Sequence, residues 1–597
     1  MSSTIRPLAP DRSGGAQWPE ARATVAPIRR ESVPMRAGVR LATDVYFPEG
    51  VERPSATILV RTPYDKGNET EVGRHFAEQG FVVAVQDVRG KFGSEGSFSI
   101  NAAEREDGSD TVDWIAQQEW SNHRVGTYGC SYLGEDQLQL AATRNPRHRA
   151  AIAKAAGGVF RYAGLIDGGV IALGNGLAWL AVHGGGAEDE SARVAGVPPE
   201  AFAWLPSVDI VRRLGTQVDD YVGVMSRPPT DPWWTTRGYV TPVDRFSTPV
   251  LLVDGWFDYG VAESLELFRL LCRNTDDERV RAAHRLIVAP TLHCQAEAAT
   301  SDWAVGDLAI GNAARDYFRL YLRWFDYWLR DGSDATRREP RVQLYVTGAN
   351  GWRCADELPL PGVRTLALHL HSGGHANTRD GDGRLSTEPP GAEPHDEFTY
   401  RPSDPVPSVG GPLFYDIPDA PPGPRNQATV EHRDDVLVYT SEPLSEPTEV
   451  TGAVVLRLFV STSCGDTDFT AKLVDVHPDG TAVNLQDGIT RLRYRNGYGQ
   501  PELVEPGEVV EAEIDLHATS RLFPARHRLR LQVSSSNFPV YERNLNTGGS
   551  NYDEAEGLDA VNRVFHDDLH RSCLLLEVVG RDAPPIRPGP ELDGLKC

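Results

Sequence analysis

Gly126-Thr127-Tyr128-Gly129-Cys130-Ser131-Tyr132-Leu133-Gly134 is the stretch on which the reading of this chain turns. A short β-branched and aromatic run, Val125 to Tyr128, stops at Gly129. A serine follows, then a helical segment from Glu135 to Thr143 that ends before Asn145-Pro146. Strand, sharp turn, serine, helix is the layout of a nucleophile elbow, which lifts a hydroxyl clear of a sheet. The first turn of the next helix leaves backbone N–H groups unpaired, and that of Tyr132 is placed to meet a developing oxyanion. The match to Gly-x-Ser-x-Gly is imperfect: Leu stands at 133 and the second glycine comes one residue late. An ordinary strand-to-helix turn could read the same way, so the segment needs partners.

Two downstream segments supply them. Pro249 to Val253 is a continuous apolar run followed by Asp254-Gly255-Trp256-Phe257-Asp258. Arg285 to Pro290 is a second such run, followed by Thr291-Leu292-His293. Runs of this kind read as buried parallel strands. Catalytic groups of open α/β sheets gather beyond the carboxyl ends of such strands. The order Ser131, Asp258, His293 is the chain order of an α/β hydrolase. Asp254 is an alternative to Asp258, and either acid could instead cap the next helix.

Further segments give the chain a specific likeness. The elbow fits Gly-x-Ser-Tyr-x-Gly, and Arg61-Thr62-Pro63-Tyr64-Asp65-Lys66 fits Arg-x-Pro-Tyr-Asp-Lys. Gln86 to Gly90 with Gly93 to Gly96, and Gly255-Trp256-Phe257-Asp258 with Glu263-Ser264, are also matched. So are Asp466 to Val476 and Ser535 to Pro539 far downstream. From residue 30 to 580 the chain resembles the cocaine esterase-like branch of the X-prolyl dipeptidyl-peptidase superfamily. The resemblance implies an α/β hydrolase with an inserted helical cap and a C-terminal all-β jelly-roll domain. It implies Ser131 as nucleophile, His293 as base, Asp258 as the acid that orients it, and the Tyr64 phenol as a second oxyanion donor beside the Tyr132 N–H. A small-molecule ester or amide substrate follows, with no cofactor and no metal. One departure stands out. Such chains place Gly-Pro-Trp before the histidine, whereas here Ala289-Pro290-Thr291-Leu292-His293 lacks the tryptophan. Relatives that read a free α-amino group carry carboxylates two and three residues after the catalytic aspartate. Gly260 and Val261 stand there, which disfavours that substrate.

Composition narrows the alternatives. The 597 residues carry a net charge of −24, with 24% charged and 40% apolar residues. This is ordinary for a globular protein and argues against nucleic acid or an anionic membrane as partner. The segment from Met1 to Arg22 has no apolar core of signal-peptide length, and Val170 to Val182 is too short to span a bilayer. Seven cysteines without a Cys-x-x-Cys pair suggest a reduced cytoplasmic protein rather than a disulfide framework. The Cys130 side chain is expected to point into the sheet. A homodimer is compatible with all of this.

The organisation reads as a flexible tail over 1–24, α/β core over 25–157 and 244–355, and a cap over 158–243. A β-sandwich over 356–582 and a second tail over 583–597 complete it. The cap includes acidic loops at Glu188 to Glu190 and Asp219-Asp220. Ser372 to Leu413 reads as long interdomain loops, with the all-β region beginning at Val436. The aromatic residues Tyr317, Tyr321, Trp324 and Trp328 follow helical spacing and read as core. Three other patterns are set aside. His369-x-His371-x-x-x-His375 lacks partners for a metal shell. Gly90-x-x-Gly93-x-x-Gly96 lacks the Lys-Ser/Thr of a phosphate loop. Asp466, Asp468 and Asp475 read as strand positions rather than calcium ligands. Besides hydrolysis, the same constellation would serve an acyltransferase or cyclase, or an X-prolyl or amino-acyl peptidase. A binding protein that kept the fold is the reading from another class.

Overall fold

The computed structural model describes residues 6–7, 15–51, 54–186, 197–332, 339–418, 420–580 and 582–587. Its first sheet is built from β1 (Arg29–Pro34), β2 (Arg40–Tyr46), β3 (Ser55–Thr62), β4 (Val82–Asp87), β5 (Ser121–Cys130) and β6 (His148–Lys154). After a long excursion come β7 (Val250–Gly255), β8 (Arg285–Ala289), β9 (Val342–Val346) and β10 (Gly351–Ala355). Their order in the sheet is β1-β2-β4-β3-β5-β6-β7-β8-β9-β10. From β4 to β9 all neighbours are parallel. The central strands are buried on both faces, which is why their sequences are unbroken apolar runs instead of alternating ones.

Helices α1 (Thr70–Glu78), α2 (Glu104–Ala116) and α3 (Tyr132–Ala142) follow β3, β4 and β5. The excursion between β6 and β7 holds α4 (Leu173–His183) and α5 (Asp219–Ser226) and forms the cap. Its expected acidic loop at Glu188 to Glu190 lies outside the described residues. Helix α6 (Val261–Arg273) follows β7. Helix α7 (Tyr317–Arg330) buries Tyr317, Tyr321, Trp324 and Trp328 on one face, so the aromatic stripe is core.

Among the described residues, the C-terminal half is a second sheet system of eleven strands, almost wholly antiparallel. Its longest pairing joins Thr448–Thr462 to Val510–Phe523. Within the expected span of 356–582, the strands of this jelly roll begin well before Val436, where the all-β pattern became audible in the sequence. Val363–His371 is already one of its strands, and Arg384–Ser386 and Asp396–Tyr400 add two more inside the segment read as loops. The latter two strands are short and flanked by Pro and Gly, so their alternation is hard to hear in the sequence. The halves meet directly: Gln486 Nε2 donates to the Trp256 carbonyl at 2.8 Å.

The two tails are also corrected. Residues 15–24 are docked, because Trp18 stacks on Phe318 with ring centroids 4.0 Å apart and Ala16 N–H donates to the Glu297 carbonyl. In the C-terminal segment, Ile586–Arg587 adds a strand to β10. A single half-buried aromatic or a two-residue pairing is enough to anchor a segment whose composition is that of a loop. No described helix is long and apolar enough to cross a membrane.

Candidate active site

Ser131 sits between β5 and α3 with φ 60° and ψ −131°, a conformation costly for any residue with a Cβ. Its surroundings hold it there. The Ser131 N–H donates to the Lys154 carbonyl of β6 at 2.9 Å, while its own carbonyl accepts from Gly134 and Glu135. The two glycines have separate steric duties. A Cβ at Gly129 would fall 2.3 Å from the Leu133 Cβ, and one at Gly134 would fall 2.6 Å from the Lys154 carbonyl oxygen. The second glycine is therefore needed where α3 crosses β6, which is position 134 and not 133.

Asp258 and His293 lie beyond the carboxyl ends of β7 and β8. His293 Nδ1 is 2.6 Å from Asp258 Oδ2. The other carboxylate oxygen of Asp258 accepts from the Gly260 N–H at 3.0 Å. Both residues are buried. Asp254 is turned elsewhere: its carboxyl accepts from the Gly255 N–H and from the Ser264 hydroxyl. Burial and then the charge of Asp258 push the Asp254 carboxyl well above the usual carboxylate range. Of the two candidate acids, only Asp258 reaches the imidazole.

Ser131 lines a narrow cavity together with Tyr64, Tyr132, Glu135, Trp179, Tyr259 and Phe414. The His293 ring lies between two of these walls, 5.3 Å from Tyr259 and 5.1 Å from Phe414. Phe414 answers the question raised by the missing tryptophan. The aromatic cover of the histidine comes from a segment 121 residues downstream, as 414 − 293 gives, and no local motif announces it. Tyr64 enters from the loop after β3. Its hydroxyl accepts from Trp179 Nε1 at 2.9 Å and is also hydrogen-bonded to Ser131. Burial keeps this phenol protonated far above neutral pH. With one lone pair taken by the indole, its proton is free to be donated towards the serine. The Tyr132 backbone N–H lies in the first turn of α3. Its side chain is held away, donating to Glu104 Oε1 at 2.8 Å and stacking on Trp179.

Two links between the elbow and the histidine loop went unread in the sequence. Cys130 and Cys294 form a disulfide, with Cα atoms 6.0 Å apart. This overturns both the expected inward-pointing Cys130 and the reduced cysteine set. Cys354 is disulfide-bonded as well. The two cysteines are 164 residues apart, and only the turning of both loops over the same end of the sheet brings them within bonding range. Beside the bridge, Lys154 Nζ is 2.6 Å from Glu297 Oε1, which also accepts from the Tyr321 hydroxyl.

Other sequence signals resolve as structure. His371 is held by Glu393 and the Glu388 carbonyl. Asp466 and Asp468 pair with Arg493 and Arg491. Asp475, His477 and His527 come close enough to share an ion, but Arg521 already binds the Asp475 carboxylate.

A strained serine, an imidazole–carboxylate pair and a buried phenol around one cavity suit acyl transfer through a covalent intermediate. Comparison with known proteins agrees. Residues 37–295 match the X-Pro dipeptidyl-peptidase (S15 family). Residues 334–575 match the X-Pro dipeptidyl-peptidase C-terminal non-catalytic domain. The cocaine esterase of Rhodococcus sp. (strain MB1 Bresler) is 38% identical over 576 residues, covering 92% of this chain and 98% of that protein. An aminopeptidase from a marine sediment Thaumarchaeota archaeon is 25% identical with a TM-score of 0.80, covering 94% of this chain and 98% of its own. An α-amino acid ester hydrolase is 24% identical with a TM-score of 0.78, covering 96% of this chain and 100% of its own. The chain thus belongs to the X-Pro dipeptidyl-peptidase (S15) family of serine hydrolases, as a cocaine esterase-like carboxylic ester hydrolase.

Proposed function

We propose that Ser131, His293 and Asp258 form the triad of this hydrolase, and that it cleaves the carboxylic ester of a small molecule. The observation that carries the reading is the 2.6 Å contact of His293 with Asp258 beside the cavity into which the Ser131 elbow opens. His293 takes the Ser131 proton as Oγ attacks the acyl carbon. Asp258 fixes the imidazole tautomer and stabilises the imidazolium. The tetrahedral oxyanion is met by the Tyr132 N–H and the Tyr64 hydroxyl. On collapse, the C–O bond to the leaving alcohol breaks and His293 returns the proton to it. Water then attacks the acyl-enzyme by the same base and releases the acid. An amide would follow the same path with an amine leaving group.

A fluorophosphonate should label Ser131, mapped by peptide mass spectrometry, and p-nitrophenyl acetate should be turned over. Loss of both in Ser131→Ala is the expected result. Labelling at another residue would sink the assignment. Transfer to an acceptor other than water uses the same acyl-enzyme, and product analysis with competing alcohols and amines separates it from hydrolysis. The Cys130–Cys294 bridge removes the cysteine argument for a reducing cytoplasm, since such bonds persist in oxidising surroundings.

A further inference from the structure

Glu135 is a buried carboxylate inside the cavity, and the proposed triad gives it no task. It lies on α3 four residues after Ser131, one helical turn away, and is 7% exposed. Its Oε2 accepts from Asn101 Nδ2 at 3.3 Å, and the Tyr259 hydroxyl is hydrogen-bonded to the same carboxylate. Gly158 makes room for it: a Cβ there would fall 2.2 Å from Glu135 Oε1.

An acid in the first turn of a helix often serves as a cap, but Glu135 does not. The capping-box acid would stand three residues after the Ser131 cap, where the chain has Gly134, and would bind the Ser131 N–H. That N–H is given to the Lys154 carbonyl.

Nor is Glu135 part of a structural ion pair. The buried Glu104 is paired with Arg61, whereas the adjacent buried Asp136 resembles Glu135 in having no ion pair among the described residues. Among the described ion pairs none includes Glu135. Desolvation of an unpaired carboxylate is expensive, and burial pushes its pKa up to about 7. Its walls are aromatic: Tyr239, Tyr259, Trp179 and Phe414. A carboxylate in a cavity that shares its lining with four aromatic rings suits a cation, which gains from the charge and from any ring face it meets.

We propose that Glu135 selects the substrate of this site, and that the preferred ester carries a basic or quaternary nitrogen on the group entering the cavity. The inference rests on the reading of Ser131 as nucleophile. It revises the expectation drawn from Gly260 and Val261, because the carboxylate comes from a different element, the helix that follows the nucleophile.

The charge on Glu135 sets the pH at which selection operates. The groups facing it are Asp136 on its own helix, Asp258 and Tyr259 after β7, His293 after β8, Tyr64 after β3 and Tyr239 of the cap. Burial keeps the three tyrosines protonated. His293 serves both members of each ester pair, so its part in the reaction cancels in their ratio.

Two isosteric pairs read that ratio. On the acyl side they are the p-nitrophenyl esters of 4-(trimethylammonio)butanoate and 5,5-dimethylhexanoate. On the alcohol side they are acetylcholine and 3,3-dimethylbutyl acetate. In at least one pair, kcat/KM at pH 8 should favour the cation by about tenfold or more. The preference should decline towards unity as pH falls to 6, where Glu135 becomes neutral. In Glu135→Gln the preference should vanish at both pH values, with Ser131 still labelled by a neutral fluorophosphonate. An equal ratio in wild type and E135Q, or a ratio flat between pH 6 and 8.5, overturns the proposal. Absence of turnover and of Ser131 labelling in every arm would overturn the hydrolase reading itself, and this inference with it.

Discussion

Cys130 and Cys294 are bonded to each other, so the residue before Ser131 is tied to the residue after His293. The strand beside the elbow is also joined to the segment after His293 by the Lys154–Glu297 pair. A covalent link at this point limits how far the hydroxyl and the imidazole can drift apart. Removing it in Cys130→Ala/Cys294→Ala should lower unfolding free energy by about 2–5 kcal/mol and reduce kcat. Alkylation of the denatured, unreduced protein should modify Cys272, Cys464 and Cys573 but spare Cys130 and Cys294. Full modification of Cys130 under those conditions is the opposing result.

Tyr64 and Trp179 form a donor relay in which the indole fixes the phenol. Tyr64→Phe should cost about 10²–10³ in kcat, the usual penalty for one oxyanion donor. Trp179→Phe leaves the phenol present but unheld. A cost of up to about tenfold is expected, corresponding to one ordinary hydrogen bond of ~1 kcal/mol. Steady-state kinetics on p-nitrophenyl acetate measures both, and a Trp179→Phe loss as large as that of Tyr64→Phe would contradict the ordering.

The two neighbouring acids should separate cleanly. Asp258→Asn places an amide against His293 Nδ1 and favours the wrong tautomer, so kcat should drop by roughly 10³–10⁴. Asp254→Asn touches a group that burial already biases towards its neutral form, and activity should stay within about tenfold of wild type. Reversed effects in the two variants would assign the orienting role to Asp254.

Lys154 is buried and the Glu297 side chain is only 14% exposed, so breaking the pair leaves one charge largely stranded. Glu297→Gln or Lys154→Met should each destabilise by about 3–5 kcal/mol. Burial works against the Glu297 charge, but Lys154 outweighs it and holds the carboxyl below its usual range. Its folded pKa is thus depressed, so the contribution is present above the ordinary glutamate value and is lost as pH falls through the folded one. Denaturant midpoints of wild type and the single variants would test the size of the effect.

His148 and His284 oppose acid from another direction. Burial lowers each to about 3. His284 Nδ1 accepts from the Val250 N–H, and Nε2 is 3.0 Å from the Thr275 hydroxyl, so the neutral ring is the one the fold accommodates. The unfolded chain binds a proton at each near pH 6.5, before the folded protein can. Stability should therefore fall as pH drops from about 6.5 towards 3, by roughly 1.4 kcal/mol per unit for each histidine. His284→Asn should flatten part of that slope in urea titrations at pH 4 to 6.

Much of this was legible in the chain itself. Unbroken apolar runs marked β3 to β8, and the residues following β5, β7 and β8 named Ser131, Asp258 and His293. The choice between Asp254 and Asp258 was not legible, because both follow the same strand and only the loop's path turns one towards the imidazole. Phe414, Glu135 and the Cys130–Cys294 bridge were missed for a related reason. Each belongs to the site by spatial approach, and none carries a local pattern that differs from ordinary core, helix or loop.

What the sequence alone determined is the set of elements and their chemistry: which runs become strands, where the serine turn falls, and the order in which the proposed nucleophile, acid and base occur. Hydrophobic periodicity and turn preferences act over a few residues, so they can be read along the chain. The shape and charge of the cavity were decided only by the fold. Sheet order and loop paths bring together side chains separated by tens to hundreds of positions, and it is their burial together that gives Glu135 its raised pKa and His293 its aromatic cover.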